Sequence, residues 1–176
     1  MSETSSFILD EPIKIESGNS HSTQWFIDTW QSINIVKHWW SLDPVIARVL
    51  KVIDGDTIKV VLPWKTREGN CGLKWSCRLW GINTPEPRRG DEGSKVNGQK
   101  CKEMLQERLP EGSLVVVVIH PEKDSFGRLL TSVYAHDELA NVCTKANWDM
   151  ERVLPQCWDV NEWMLLNGPG TIEFYS

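Results

Sequence analysis

Val45-Ile46-Ala47-Arg48-Val49-Leu50-Lys51-Val52-Ile53-Asp54-Gly55-Asp56-Thr57-Ile58-Lys59-Val60-Val61-Leu62 sets two runs rich in Val and Ile on either side of an Asp-Gly pair. Branched side chains of this kind fit a pleated, half-buried surface, and Asp-Gly suits the tight turn of a hairpin. Strands are therefore predicted over 45–53 and 57–62. A loop is expected at 63–70, followed by a third strand over 73–82. Residues 94–109 read as a helix, with Val96, Met104, Leu105 and Leu109 supplying much of its apolar face and Gly98 weakening its first half. Pro110-Glu111-Gly112 ends that helix. The continuous apolar run Leu114-Val115-Val116-Val117-Val118-Ile119 then reads as a buried strand, and 128–135 as another. Three strands, a helix and two strands is the order of an OB-fold, a partly open barrel that commonly binds oligonucleotides on one face. The expected class is α+β, mainly β: a five-stranded OB-fold barrel with a helix between strands three and four, plus an N-terminal Trp-rich helix and a C-terminal helix.

Those two further helices are read from the flanks. Residues 1–22 are polar, rich in Ser and acidic residues and without a sustained period, as in a flexible acidic tail. Residues 23–44 form the next segment, in which Trp25, Phe26, Ile27, Trp30, Ile33, Val36, Trp39 and Trp40 fall at mostly helical intervals over 24–40, and Ser41-Leu42-Asp43-Pro44 punctuates. Such an amphipathic helix either packs on the main domain or docks on a partner or membrane surface, and its shortage of Lys and Arg weakens the membrane reading. The main domain then covers 45–176, with an insertion at about 137–159 that carries Trp148, Pro155 and Trp158 and is expected to cover one rim of the barrel. Val160-Asn161-Glu162-Trp163-Met164-Leu165-Leu166-Asn167 is the C-terminal helix, with Gly168 as its expected cap.

Composition narrows the setting. The 176 residues, 40% of them hydrophobic, suffice for one packed domain with appendages. Five cysteines, an odd number without a Cys-x-x-Cys pair, point to neither a disulfide framework nor a zinc site. Reduced thiols in a cytoplasmic compartment are expected, since there is neither a run of about 20 apolar residues nor a secretory amino terminus. The net charge of −5 looks unfavourable for a polyanion binder, but residues 1–44 hold six acidic residues against two lysines, so most of the surplus lies there. A nearly neutral domain argues against broad non-specific binding and leaves room for a local phosphate site.

Three short segments carry chemistry: Ile53-Asp54-Gly55-Asp56-Thr57, then Arg78-Leu79-Trp80-Gly81-Ile82-Asn83-Thr84-Pro85-Glu86, then Asp124-Ser125-Phe126-Gly127-Arg128. Cleaving a phosphodiester requires an attacking water, neutralisation of charge at phosphorus and a divalent ion to polarise a non-bridging oxygen. Asp56 offers a hard carboxylate oxygen, although Asp54-Gly55-Asp56 alone is an ordinary turn sequence. Arg78 lies in an apolar strand context, where a long cation needs either a salt-bridge partner or an anionic ligand. With Arg128 it would make a bidentate phosphate clamp. Asp124 reads as a loop-fixing residue. Pro85 keeps the chain extended, so Glu86 can project toward the same cleft and take a proton from water; the alternative is a surface glutamate balancing Arg88 and Arg89. Arg88, Arg89, Lys95, Lys100 and Lys102 form either a steering rim or a solvated face. His120 and His136 have no metal-like spacing.

Taken together the segments resemble the staphylococcal nuclease (thermonuclease-like, SNase-like) family, whose pattern is an Asp-Gly-Asp-Thr hairpin, then Arg, four residues, Asp-Thr-Pro-Glu, and later Gly-Arg. The resemblance covers roughly Val45 to Tyr175. It implies an OB-fold barrel and a calcium-dependent nuclease acting on DNA or RNA, with single strands favoured. Residue by residue it implies Asp56, Asn83 and the Thr84 carbonyl at the metal, Arg78 and Arg128 on phosphate, and Glu86 activating water. Phe174, adjoined by Tyr175, is the implied base-stacking surface, with a core role for Phe174 as the alternative. The sequence departs from the pattern at Asn83, where the family commonly has aspartate: a neutral carbonyl oxygen can still coordinate calcium, but with one negative charge less. It departs again in the insertion and in ending at Ser176 without the family's final helix. These departures leave a second reading open, a catalytically weak or inactive OB-fold module that binds nucleic acid or protein.

Overall fold

The computed structural model of the protein describes residues 43–66, 69–124 and 126–174. The expected acidic tail, the Trp-rich helix at 24–40 and Tyr175 lie outside the described residues. Strand β1 (Val45–Asp54) turns through Gly55 and Asp56 into β2 (Thr57–Thr66), and the register closes at Asp54 opposite Thr57. The loop expected at 63–70 is instead sheet. Strands β2 and β3 (Gly69–Leu79) stay paired from Thr57 opposite Arg78 out to Thr66 opposite Gly69, with Pro63 opposite Gly72. Pairing of β1 with β2 ends at Arg48 opposite Val61, so beyond Val61 one edge of β2 carries no ladder among the described residues, which is where a residue without an N–H is accommodated.

Strands β5 (Leu114–Lys123) and β6 (Leu129–Ala135) complete the order β3-β2-β1-β5-β6, and β3 pairs with β6 in parallel, so five strands close on themselves. This is the expected barrel of the OB type, with helix α1 (Glu92–Arg108) between β3 and β5. Its interior is filled by Val49, Val52, Ile58, Val60, Leu79 and Val133 among others. Helix α1 starts at the Asp91 cap, whose carboxylate accepts from the Ser94 N–H at 2.7 Å. Its buried face is Gly98, Cys101 and Leu105, spaced by three and four residues, while Val96, expected on that face, is exposed.

The third strand does not run to residue 82. It breaks at Trp80, and a short strand β4 (Gly81–Asn83) leaves the barrel to pair with β8 (Ile172–Phe174); Gly81 takes φ +80, which a side chain would resist. The insertion folds as α2 (Leu139–Lys145), α3 (Met150–Val153), a 3₁₀ turn (Leu154–Gln156) and strand β7 (Trp158–Asp159), which extends the sheet beyond β6. Leu139, Val142, Cys143, Ala146 and Val153 pack with Val116 of β5 into a second, smaller core. Trp148 takes no part in that cluster and is largely exposed. Helix α4 (Val160–Asn167) is capped by the Asp159 carboxylate, which accepts from the N–H groups of Asn161 and Glu162. Gly168 does not form the left-handed cap that glycine usually serves, because its φ is −73; a Cβ there would stand 2.4 Å from Thr171 Oγ1 and 2.7 Å from the Met164 carbonyl oxygen. Among the described residues no helix is long and apolar enough to cross a membrane.

Candidate active site

Strand register assembles the site. Arg78 on β3 lies opposite Thr57 on one side and Leu130 on the other, so it sits between the residue that follows Asp56 and the strand that follows Arg128. The Leu79 N–H donates to the Asp56 carbonyl and the Trp80 N–H to the Thr131 carbonyl, both at 2.8 Å, which ties the break in β3 to both neighbours. Asn161, buried on α4, donates from Nδ2 to the carbonyls of Trp80 and Thr131 and accepts from the Val133 N–H through Oδ1. The strand that leaves this break carries Asn83, Thr84 and Glu86 back over the hairpin turn. A cleft of about 400 Å³ results, lined by Asp54, Asp56, Arg78, Asn83, Thr84, Glu86, Asp124, Phe126, Arg128 and Phe174 among others.

Asp56 is the hub, only 6% exposed. Its Oδ2 accepts from the Thr84 N–H at 2.8 Å and the Thr84 hydroxyl at 2.9 Å, and faces Arg78 Nη1 at 3.1 Å; its Oδ1 accepts from the Thr57 hydroxyl at 3.1 Å. Thr84 was expected to act through its backbone carbonyl, and here its hydroxyl is half of its grip on Asp56. Gly55 makes that approach possible: a Cβ there would lie 2.5 Å from Cys101 Cβ and 2.9 Å from Thr84 Oγ1. Arg78 is almost as buried, donating from Nη1 to the carbonyls of Asp56 and Leu79 and from Nη2 to Asn83 Oδ1 at 2.9 Å. Burial pulls the Arg78 guanidinium below its usual range, against the Asp56 charge, which holds it up. Asp54 responds in the opposite sense. Burial, and then the neighbouring Asp56 charge, push its carboxyl up to about 6.

Arg128 is held in a different way. Its Nε and Nη2 donate to the two oxygens of Asp124 at 2.9 and 3.0 Å, and Nη1 donates to the Thr57 hydroxyl at 3.1 Å. Those bonds to Asp124 raise the Arg128 guanidinium and, reciprocally, hold the Asp124 carboxyl below its usual range. Asp124 also accepts from the backbone N–H groups of Phe126 and Arg128, so it fixes the loop as read from sequence and orients the arginine as well. Gly127 turns this loop at φ +73. The Phe126 ring is exposed on the rim with the Arg128 guanidinium 5.3 Å from its centroid.

Glu86 reaches the same cleft from beyond Pro85, with its side chain 59% exposed and its Oε2 3.6 Å from Arg89 Nε. Phe174 lines the cleft from β8 and is 50% exposed, which removes it from the core. Arg88, Arg89, Lys95, Lys100 and Lys102 do not line the cleft. The structure thus brings Asp56, Arg78, Asn83, Thr84, Glu86, Arg128 and Phe174 together. Three contributors escaped the sequence reading. Asp54 had a signal in the Asp-x-Asp spacing, whereas Asn161 and Gly98 had none, because their partners lie in other elements. Gly98 lets α1 pack on the Pro85-Glu86 backbone: a Cβ would stand 2.5 Å from the Pro85 carbonyl oxygen and 2.6 Å from the Glu86 carbonyl carbon.

The oxygens that converge here do so on a cation of the chain itself, since Asp56 Oδ2 and Asn83 Oδ1 both meet the Arg78 guanidinium. Among the described residues no group of three or more His, Cys, Asp or Glu side chains is arranged to hold a metal ion. Any hard cation would be held instead by a mixed set of carboxylate, amide and backbone oxygens around Asp56.

Comparison with known proteins agrees with this arrangement. The model of the family described as staphylococcal nuclease homologue matches residues 76–174, more than half of the chain; the match begins just before Arg78, with the Asp54–Asp56 turn upstream of it. A thermonuclease of Staphylococcus hyicus is 28% identical over 94 residues, 53% of this chain and 51% of that protein. An uncharacterised protein of Methanocaldococcus jannaschii is 25% identical over 141 residues, 70% of this chain and 64% of that protein. The chain therefore spans less than two thirds of the length of either relative. With its barrel and the extent of the family match, the chain belongs to the staphylococcal nuclease homologue family.

Proposed function

We propose that this chain hydrolyses phosphodiester bonds of DNA or RNA with the aid of calcium, preferring single strands. One juxtaposition carries the reading: two arginines from separate elements share a cleft with Asp56 and Glu86. A simple anion binder has no use for carboxylates beside its arginines, because they oppose the ligand's charge; a hydrolase needs them to hold a cation and to move a proton. The lining holds four carboxylates, Asp54, Asp56, Glu86 and Asp124, against two guanidiniums, a surplus of two negative charges that a divalent cation would cancel. The donor atoms also fit, being hard oxygens from Asp56, Asn83 Oδ1 and the Thr84 carbonyl, with Asp54 alongside. Calcium bound there would polarise a non-bridging phosphate oxygen.

The chain's own groups supply the rest. Arg128, oriented by Asp124, presents donors on Nη1 and Nη2 that its protein partners do not use up, and Arg78 offers a second planar fork to the same phosphate. Glu86, partly solvated, accepts the proton of the attacking water. Phe174 gives a base a ring to stack on, a sequence-tolerant contact open to an unpaired strand. A second reading, a module that binds nucleic acid with little or no catalysis, draws on Asn83 and on the Glu86 contact with Arg89. The deciding experiment is cleavage of a labelled single-stranded DNA in millimolar calcium and in chelator, with Glu86→Gln and Arg128→Ala alongside. Calcium-dependent cleavage reduced roughly a hundredfold or more in both variants is the expected result. Binding without cleavage in either condition selects the second reading.

A further inference from the structure

We propose that Arg78 is an internal latch on the cation site: it occupies Asp56 Oδ2 and Asn83 Oδ1 until a phosphate draws it away. The inference rests on the calcium reading above and adds regulation of that same site. Three observations lead to it. First, the guanidinium spans the two side chains, with Nη1 3.1 Å from Asp56 Oδ2 and Nη2 2.9 Å from Asn83 Oδ1. Second, Asp56 Oδ2 also accepts both the N–H and the hydroxyl of Thr84, so Arg78 is the one donor on that oxygen that can leave without unravelling the turn. Third, Arg128 is anchored elsewhere, by Asp124 and Thr57, and takes no part in the blockade.

The neutral amide at position 83 makes the latch selective. One guanidinium against one carboxylate is charge-balanced, so the pair is satisfied without an ion, and a divalent cation entering alone would strand the buried Arg78 charge. A phosphate offers that guanidinium a charged bidentate partner, and its departure removes the cation from Asp56 Oδ2 and frees Asn83 Oδ1 at once. Cation and phosphate therefore help each other, and linkage makes the effect reciprocal.

The test is calorimetric titration of calcium into the full chain without nucleic acid, in wild type, Arg78→Lys and Arg78→Gln, with thermal melts to establish folding. Lysine keeps the charge but has no fork to span Asp56 and Asn83. The latch predicts calcium affinity several-fold higher in Arg78→Lys and at least tenfold higher in Arg78→Gln. Charge repulsion alone predicts no change in Arg78→Lys, and that result overturns the latch even if Arg78→Gln does not fold. Calcium uptake by wild type that is unchanged or weakened in the folded variants overturns the latch while leaving the calcium reading intact. No uptake by any of the three proteins overturns both.

Discussion

Thr84 matters through a single oxygen. Its N–H and hydroxyl both donate to Asp56 Oδ2, so Thr84→Val keeps the shape, retains the backbone donor and loses the hydroxyl. A buried bond to a charged acceptor is worth about 1.5–3 kcal/mol, and Thr84→Val is expected to lower the urea-unfolding free energy by about that much, with Thr84→Ser recovering most of it. His120, to which the sequence reading assigned no role, has a structural one: its ring stacks on Trp80 at 4.5 Å and its Nε2 lies 2.9 Å from Ser132 Oγ. Burial lowers its pKa, against the nearby Glu122 charge. The unfolded chain then takes up the proton first as pH falls, so the contribution of His120 to stability is full above about 6.5 and declines below it, toward the depressed folded value. Asp54 works in the opposite direction, because its raised folded pKa favours folding as pH falls from neutrality toward its unfolded value. Comparison of wild type with His120→Gln isolates the histidine: between pH 7.5 and pH 5 the change in urea midpoint should be more favourable to folding at the lower pH in the variant. Equal changes in the two proteins would remove the assignment.

At the scale of elements, α1 holds the end of β4 in place. Gly98→Ala should gain about 1 kcal/mol from helix propensity if the helix were free. Against this, the added methyl meets backbone of Pro85 and Glu86 at 2.5 to 2.6 Å, and backbone cannot swing aside as a side chain would. Overpacking costs typically 1–3 kcal/mol, so the net effect is expected to be destabilising, by about 1 kcal/mol or more in a urea melt, together with a loss of cleavage as Glu86 is displaced. A stabilised, fully active Gly98→Ala would mean that α1 does not press on that segment. The Val- and Ile-rich runs and the Asp-Gly turn made β1, β2 as far as Leu62 and the later part of β3 legible, since these signals are local. The misread elements have longer-range causes. Pro63 reads as a strand breaker until one knows that β1 has stopped pairing at Val61, and Gly98 reads as a weak spot in a helix until one knows what lies against it.

For the molecule as a whole, the net charge of −5 leaves room for the proposed phosphate site, because residues 1–44 carry most of the surplus and the domain that holds the cleft is close to neutral. Binding of a single-stranded oligonucleotide should therefore depend weakly on salt. Two phosphate contacts on a single strand correspond to a slope of about −1.4 for log K against log salt, and a slope several times steeper would show that the basic residues outside the cleft share the load. The Asp-Gly-Asp-Thr turn, the Arg78-to-Glu86 segment and the Gly-Arg pair could be read directly, and with them the strand order, because each is written in residues within a few positions of one another. The convergence of those segments could not. It depends on the parallel closure of β3 on β6, on Thr84 meeting Asp56, and on Asn161 bonding to Trp80 across 81 positions of chain. Periodicity shows which face of an element is apolar but not which neighbour that face will meet. The latching of Arg78 onto Asp56 and Asn83 is of this second kind, arising where packing leaves a buried cation two side-chain oxygens within reach.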